Sequence, residues 1–234
     1  MVKIIFCAIL ILFTAFGSTA FAEERVPTIS VSGEGRVEAA PDCATISIGV
    51  TSFDRDATKV QNENSRIATD VINSITSLGI DRKNIRTGNY NFQQRYRYDE
   101  KGKQIFDGYE VNNTVTVAVN DLSKVGKIID AALASGANRI DSLNFGIRDR
   151  ENFQSDALKL AIRDARRKAE IAASELGKRI VGIVNVAINS APIIAPRSEK
   201  LMMTSNAADS FSTPIEAGTL SCSASVHIDF EISR

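Results

Sequence analysis

The apolar residues of this chain repeat every second position in some stretches and every three or four in others. The switches between these periods limit the fold more than any other feature. Thr28–Val37 sets Ile29, Val31, Gly33, Gly35 and Val37 against polar neighbours, a strand with two glycines on its apolar face. After the Ala39-Ala40-Pro41-Asp42 break, Ala44–Thr51 alternates again. Asp56–Leu78 then changes to helical spacing, with Val60, Asn64, Ile67, Ala68, Val71, Ile72, Ile75 and Leu78 on one stripe and Gly79 as the stop.

The same reading predicts strands over 84–98 and 104–119, joined through the charged turn Asp99–Lys103 as a long antiparallel hairpin. A second helix is predicted over Asp121–Ser135 and a strand over 139–148. The third helix, Glu151–Leu176, is expected to bury Leu158, Ala161, Ile162, Ala165, Ala169, Ala172 and Leu176. A strand follows at Arg179–Asn189, then an aperiodic, flexible loop over 190–217 with three prolines, and a last strand over 218–232. The order β-β-α-β-β-α-β-α-β-β implies an α+β fold: a mixed, largely antiparallel sheet with three helices, containing a βαββαβ ferredoxin-like unit. No stretch near residue 150 reads as a linker, so residues 23–234 are taken as one unit.

The first residues address the chain rather than build it. One cation, Lys3, precedes the uncharged run Ile4–Phe13, and the segment closes on Ala20-Phe21-Ala22. These are the three parts of a secretory signal peptide, and the run is shorter than the ~20 residues a spanning helix needs. Cleavage is expected after Ala22, leaving no transmembrane segment and placing the mature chain in the periplasm or another extracytoplasmic compartment. Loss of Lys3 turns 28 cations against 28 anions into a net charge near −1, which gives no general pull toward nucleic acid.

Cys43 and Cys222 remain after cleavage, and export opens the way to a bridge between them. Strand parity argues against it. Cys222 alternates with Leu220, Ala224, Val226, Ile228, Phe230 and Ile232, whereas Cys43 alternates with Thr45 and Ser47, opposite Ile46 and Ile48. A bulge after Pro41 would reverse that.

Catalytic signals are sparse. The one histidine, His227, lies on the polar side of the last strand, so a Ser-His-Asp arrangement has no support in the spacing. Zinc needs three or four clustered ligands, and neither G-x-S-x-G nor a P-loop is present. Gly33-Glu34-Gly35 lies inside a strand and opens no helix, so its glycines point to close backbone packing rather than to a nucleotide. Asp54 and Asp56 sit at a helix start, where capping explains them. Arg163, Arg166, Arg167 and Lys168 interleave with Asp164 and Glu170 as a solvated face. Met202 and Met203 suit a loop better than oxidant scavenging. No catalytic residue, metal or cofactor is expected; the rival is a hydrolase with an unrecognised carboxylate site.

The aromatic residues are more informative. All four tyrosines lie in the 84–119 hairpin; Tyr90, Phe92, Tyr96 and Tyr98 share one parity, with Tyr109 on the facing strand and Arg95 and Arg97 interleaved. Tyrosine and arginine concentrated on one element have the composition of an interface core. Cross-strand aromatic pairs that stabilise the hairpin itself are the competing explanation, worth a few tenths to ~1 kcal/mol each. Self-assembly through this hairpin is the expectation.

The ordered set Ile29–Gly35, Pro41-Asp42, Gly108–Val115, Ser135–Asn138, Phe145–Ile147 and Ser223–Val226 leading to Phe230–Ile232 resembles the SIMPL-domain family of exported bacterial proteins. The resemblance spans almost the whole mature chain. It implies a non-enzymatic envelope protein, associated with tolerance of oxidative stress, that forms homo-oligomers, a large ring in at least one member. A ring-like channel or scaffold at the outer membrane is the alternative it raises. It brings no catalytic residues, and the cysteines are not part of its pattern.

Overall fold

The computed structural model describes residues 26–188, 193–196 and 213–234. The signal segment, the methionine pair and most of the 190–217 loop lie outside these residues.

Asp56 starts the first helix by accepting hydrogen bonds from the backbone N–H groups of Thr58 (2.8 Å) and Lys59 (3.1 Å), so the N-capping role read from its position holds. The helix, α1 (Ala57–Ser77), buries Val60, Asn64, Ala68, Val71 and Ile75. Gly79 follows with φ +81°, a left-handed turn that costs glycine little. α1 and the shorter α2 (Val125–Ala134) pack on one face of a four-stranded sheet. Its order is β3 (Ile85–Tyr98), β4 (Gln104–Val119), β2 (Cys43–Asp54), β5 (Arg139–Gly146). The succession β2-α1-β3-β4-α2-β5 thus closes a single sheet. Ile46, Ile48, Val50, Val71, Ile75, Val115, Val117 and Ile128 form its core, each at most 1 % exposed.

The remaining strands form a second sheet. β8 (Leu220–Ile232) pairs with β1 (Thr28–Ala39) on one side and with β6 (Ile180–Ile188) on the other, while the short β7 (Ile193–Pro196) continues along the β6 side. The third helix, α3 (Arg150–Glu175), packs over β1 and β8. Every pairing in both sheets is antiparallel. The α+β class with three helices holds, with the strands divided between two sheets that each have their own core.

Two details differ from the sequence reading. α3 buries the alanine row 157, 161, 165, 169 and 173, while Ile162 is 40 % and Leu176 64 % exposed. The cause is β1: a Cβ on Gly33 or Gly35 would meet the α3 backbone within 2.5 Å, so the helix lies too close for larger side chains. The segment read as an aperiodic loop also contains β7, whose four residues are too few to show a period.

The chain passes between the sheets at 40–42 and again at 147–149, and one ion pair joins the crossings. Asp42 accepts from the Arg148 N–H (2.8 Å) and from its Nε (3.1 Å). Ahead of β8, Thr213 donates through N and Oγ1 to Asp130 on α2, and Ile215 packs against the first core.

Candidate functional site

The β3–β4 hairpin extends beyond the helices that cover its base. Asn64 of α1 donates to the Val111 carbonyl (3.3 Å), and the strands continue outward from that point to the Asp99–Lys103 turn. Asp99 holds the turn by accepting from the N–H groups of Lys101 (2.9 Å) and Lys103 (2.8 Å). β3 is an edge strand, and its residues from Arg86 to Tyr98 are exposed along their whole length.

Period 2 puts Tyr90, Phe92, Tyr96 and Tyr98 on one face. An extra residue in β4 brings further rings to that face: Arg95 pairs with Gly108 but Tyr96 pairs with Phe106, so Asp107 bulges. The result is a contiguous row. Phe92 meets Tyr109 with centroids 5.5 Å apart, Tyr109 meets Phe106 at 5.2 Å, and Phe106 meets Tyr96 at 5.9 Å. Tyr109 is half-buried, and the exposure of the other rings runs from 40 % at Phe92 to 70 % at Tyr98. The rings pair across the strands, as expected of a hairpin stabilised from within, and most of them remain exposed.

The opposite face of the hairpin is charged. Arg95 stacks over Phe53 at 5.0 Å and lies 3.6 Å from Asp107 and 3.7 Å from Glu110; Arg97 lies 3.8 Å from Asp107. Nearer β5, Arg139 forks onto Asp141 (2.9 and 3.1 Å) and donates to Thr51 Oγ1 and Asn112 Oδ1, both at 2.7 Å. The Arg139 hydrogen bonds, with one from Thr114, hold the Asp141 carboxyl below its usual pKa.

The cysteines and the basic cluster of α3 fall apart from this surface. Cys43 and Cys222 are free thiols in different sheets, Cys222 fully buried beneath α3. Burial raises both thiol pKa values, which keeps them protonated and poorly nucleophilic. Arg166 and Arg167 pair with Glu170 and Asp164 on the α3 surface.

His227 has closer company than its sequence position suggested. Its Nδ1 lies 3.1 Å from Ser32 Oγ on β1, and its Nε2 3.5 Å from Asp229 Oδ1. Asp229 is itself held by Ser30 and Asn185, and its pKa is lowered, first by Ser30. The row lies on the open face of the second sheet. Each carboxylate among the described residues with a resolved pKa displacement is displaced downward, by hydrogen bonds and nearby cations. A general acid at neutral pH needs the opposite displacement. No group of three or more His, Cys, Asp or Glu residues that could hold a metal occurs among the described residues, and no helix there is long and apolar enough to cross a membrane.

A second apolar surface was not anticipated from the sequence. Between α3 and β6 runs a groove of about 300 Å³ lined by Ile162, Arg166, Ile180, Val181, Ile183 and Phe230. It exists because α3 covers β1 and β8 and stops short of β6. The signal in the sequence was the absence of any charge from 180 to 188.

Residues 29–230 match the SIMPL family, described as a protein of unknown function (DUF541). The chain is 32 % identical over 235 residues to the 26 kDa periplasmic immunogenic protein of Brucella melitensis, covering 95 % of this chain and 94 % of that protein. It is 30 % identical over 160 residues to the uncharacterized protein YggE of Escherichia coli K12, covering 68 % of this chain and 65 % of that one.

Proposed function

The chain belongs to the SIMPL family, and on that premise we propose that it is an exported periplasmic protein that acts by self-assembly or binding rather than by catalysis. Export is supported by the charge pattern of residues 1–22 and by a relative named for the periplasm over nearly its full length. The observation that carries the assembly reading is the set of exposed rings Tyr90, Phe92, Tyr96, Tyr98 and Phe106 on the hairpin, packed around the half-buried Tyr109. Large rigid rings with few rotatable bonds are efficient anchors, because little conformational freedom is lost when a partner covers them. The cellular role in this reading is support of the envelope under oxidative stress.

Replacing Tyr96→Ala together with Tyr98→Ala tests the assembly. Light scattering is expected to report a smaller particle with the circular dichroism of the parent. A folded double variant of unchanged mass removes the hairpin from the interface.

A hydrolase reading has one observation in its favour, the Ser32–His227–Asp229 row. Labelling by a serine-directed fluorophosphonate that is lost in Ser32→Ala would establish it. The open sheet face, with the imidazole 3.5 Å from the carboxylate, favours the non-catalytic reading.

A further inference from the structure

Each sheet has two edges, and the strands along them differ in one respect. β1 carries Glu34, Arg36 and Glu38; β3 carries Arg86, Arg95 and Arg97; β5 carries Arg139 and Asp141; β6 carries no charge, nor does the four-residue β7 beyond it, which ends on Pro196. Charged side chains on an edge discourage it from pairing with another chain, and an exposed, uncharged apolar edge invites pairing. Among the described edges β6 is the long unguarded one, since a proline blunts the short β7. Its residues Ile183, Val186 and Ile188 stand opposite Phe230, Ile228 and Val226 of β8. Those three partners are at most 4 % exposed under α3, whereas the β6 residues are 63, 48 and 54 % exposed. The same sheet face is core on β8 and bare on β6.

We propose that β6 is the seat of a two-fold contact, in which β6 of one copy pairs antiparallel with β6 of a second and joins the two sheets edge to edge. The occupant follows from charge. A strand laid antiparallel against its own copy opposes each residue to a counterpart in the same strand, and like charges placed opposite one another are destabilising. β3 set against itself about Tyr96 would oppose Arg95 to Arg97, and β1 set against itself about Arg36 would oppose Glu34 to Glu38. β6 has nothing to repel. A two-fold axis normal to the sheet also keeps both α3 helices on one face, so each groove along Ile162, Ile180 and Ile183 faces its copy across the joined strands. The contact closes after two copies, unlike a head-to-tail one. It rests on the self-assembly reading but uses a surface separate from the aromatic hairpin.

The purified protein, compared with Val186→Lys, tests this by native mass spectrometry. The parent is expected at an even number of copies and the lysine variant at half that mass, with unchanged circular dichroism. A monomeric or odd-numbered parent overturns the proposal, as does a folded variant of parental mass. Hydrogen exchange of the parent gives a second measurement that needs no substitution: β6 amides that point away from β8 should be protected at high protein concentration and released on dilution. Fast exchange at every concentration sinks the contact. Protection independent of concentration sinks it too, because a segment of the same chain would then cover the edge. If the Tyr96→Ala, Tyr98→Ala variant keeps its mass while Val186→Lys halves it, the hairpin reading fails and the β6 contact stands.

Discussion

Gly33 and Ala161 lie so close that a Cβ on the glycine would come within 2.1 Å of the alanine carbonyl oxygen. Gly35 stands in the same relation to Ala157, at 2.0 Å. The obstruction is helix backbone, which cannot rotate away, so Gly33→Ala must lift α3 from β1 and open the alanine-lined core. The expected loss is about 3 kcal/mol, the upper part of the usual range for overpacking, or roughly 6–12 °C in Tm for a chain of this size. Gly102→Ala is the control. It sits at φ +75° with nothing within 4 Å of the added carbon, so only the left-handed conformation is penalised, by about 1–2 kcal/mol. Thermal denaturation should rank the two in that order, and equal shifts would refute the close-approach account.

Gly49→Ala looks similar on paper and should behave differently. There the added carbon meets the Arg139 guanidinium, at 2.8 Å from Nε and 2.9 Å from Nη2. A flexible side chain can move where a helix cannot, so the stability cost should stay near ~1 kcal/mol. The effect should appear instead at Asp141. Its carboxyl is held low first by the Arg139 hydrogen bonds, so displacing the guanidinium should raise its pKa toward 3.8. A carbon-detected NMR titration of the side-chain carboxyl reads this directly, and an unmoved Asp141 would mean that Arg139 had kept its place.

The fold was legible where one period ran long enough. Period 2 identified β1, β2 and β8, and the stripe from Val60 to Leu78 identified α1, because one buried face per element leaves a regular mark. That mark records which face is buried but not which partner covers it. The uncharged run Ile180–Ile188 looks like a strand buried on both faces, yet it is an edge with its α3-side face uncovered. In α3 the reading found Ala161, Ala165 and Ala169 but named Ile162 and Leu176 and missed Ala157 and Ala173, because the close approach permitted by the β1 glycines selects the alanine row. At the hairpin, one parity placed four rings together, but Phe106 and Tyr109 join them only because Asp107 bulges. Gly108, at φ +154°, was the only local hint of that irregularity.

The Asp42–Arg148 pair should make the junction between the sheets acid-sensitive. The backbone N–H of Arg148 is the largest cause of the lowered Asp42 pKa, with the guanidinium adding to it. A carboxyl with a depressed folded pKa contributes stability above its unfolded value near 3.8, and that contribution is lost as pH falls through the lower folded value. Both side chains are substantially exposed, 60 % for Arg148 and 39 % for Asp42, so Asp42→Asn should cost only about 0.5 kcal/mol at neutral pH. In urea titrations the parent and variant should differ at pH 7 and converge as pH falls below 3.8 and through the lowered folded value. A difference that persists undiminished in acid would exclude the carboxylate as its source.

Asn64 offers the sharper test, because its side chain is wholly buried. Its Nδ2 donates to the Val50 carbonyl (3.1 Å), Ser52 Oγ (3.2 Å) and the Val111 carbonyl (3.3 Å), tying α1 to both central strands beneath the hairpin. Asn64→Asp keeps the shape and removes the donor, setting a carboxylate oxygen against two carbonyl oxygens. At neutral pH the expected loss is about 3 kcal/mol, the size of a buried polar mismatch. Desolvation and the facing carbonyls both disfavour the charged form, so the introduced carboxyl should titrate above its unfolded value near 3.9. The sign is therefore opposite to that of Asp42: the penalty is full above the folded pKa and shrinks as pH falls toward the unfolded one, because the neutral acid regains one donor. Chemical denaturation from pH 7 to pH 4 should bring the variant closer to the parent. A gap that widens in acid would show that Asn64 does not hold the strands by donating.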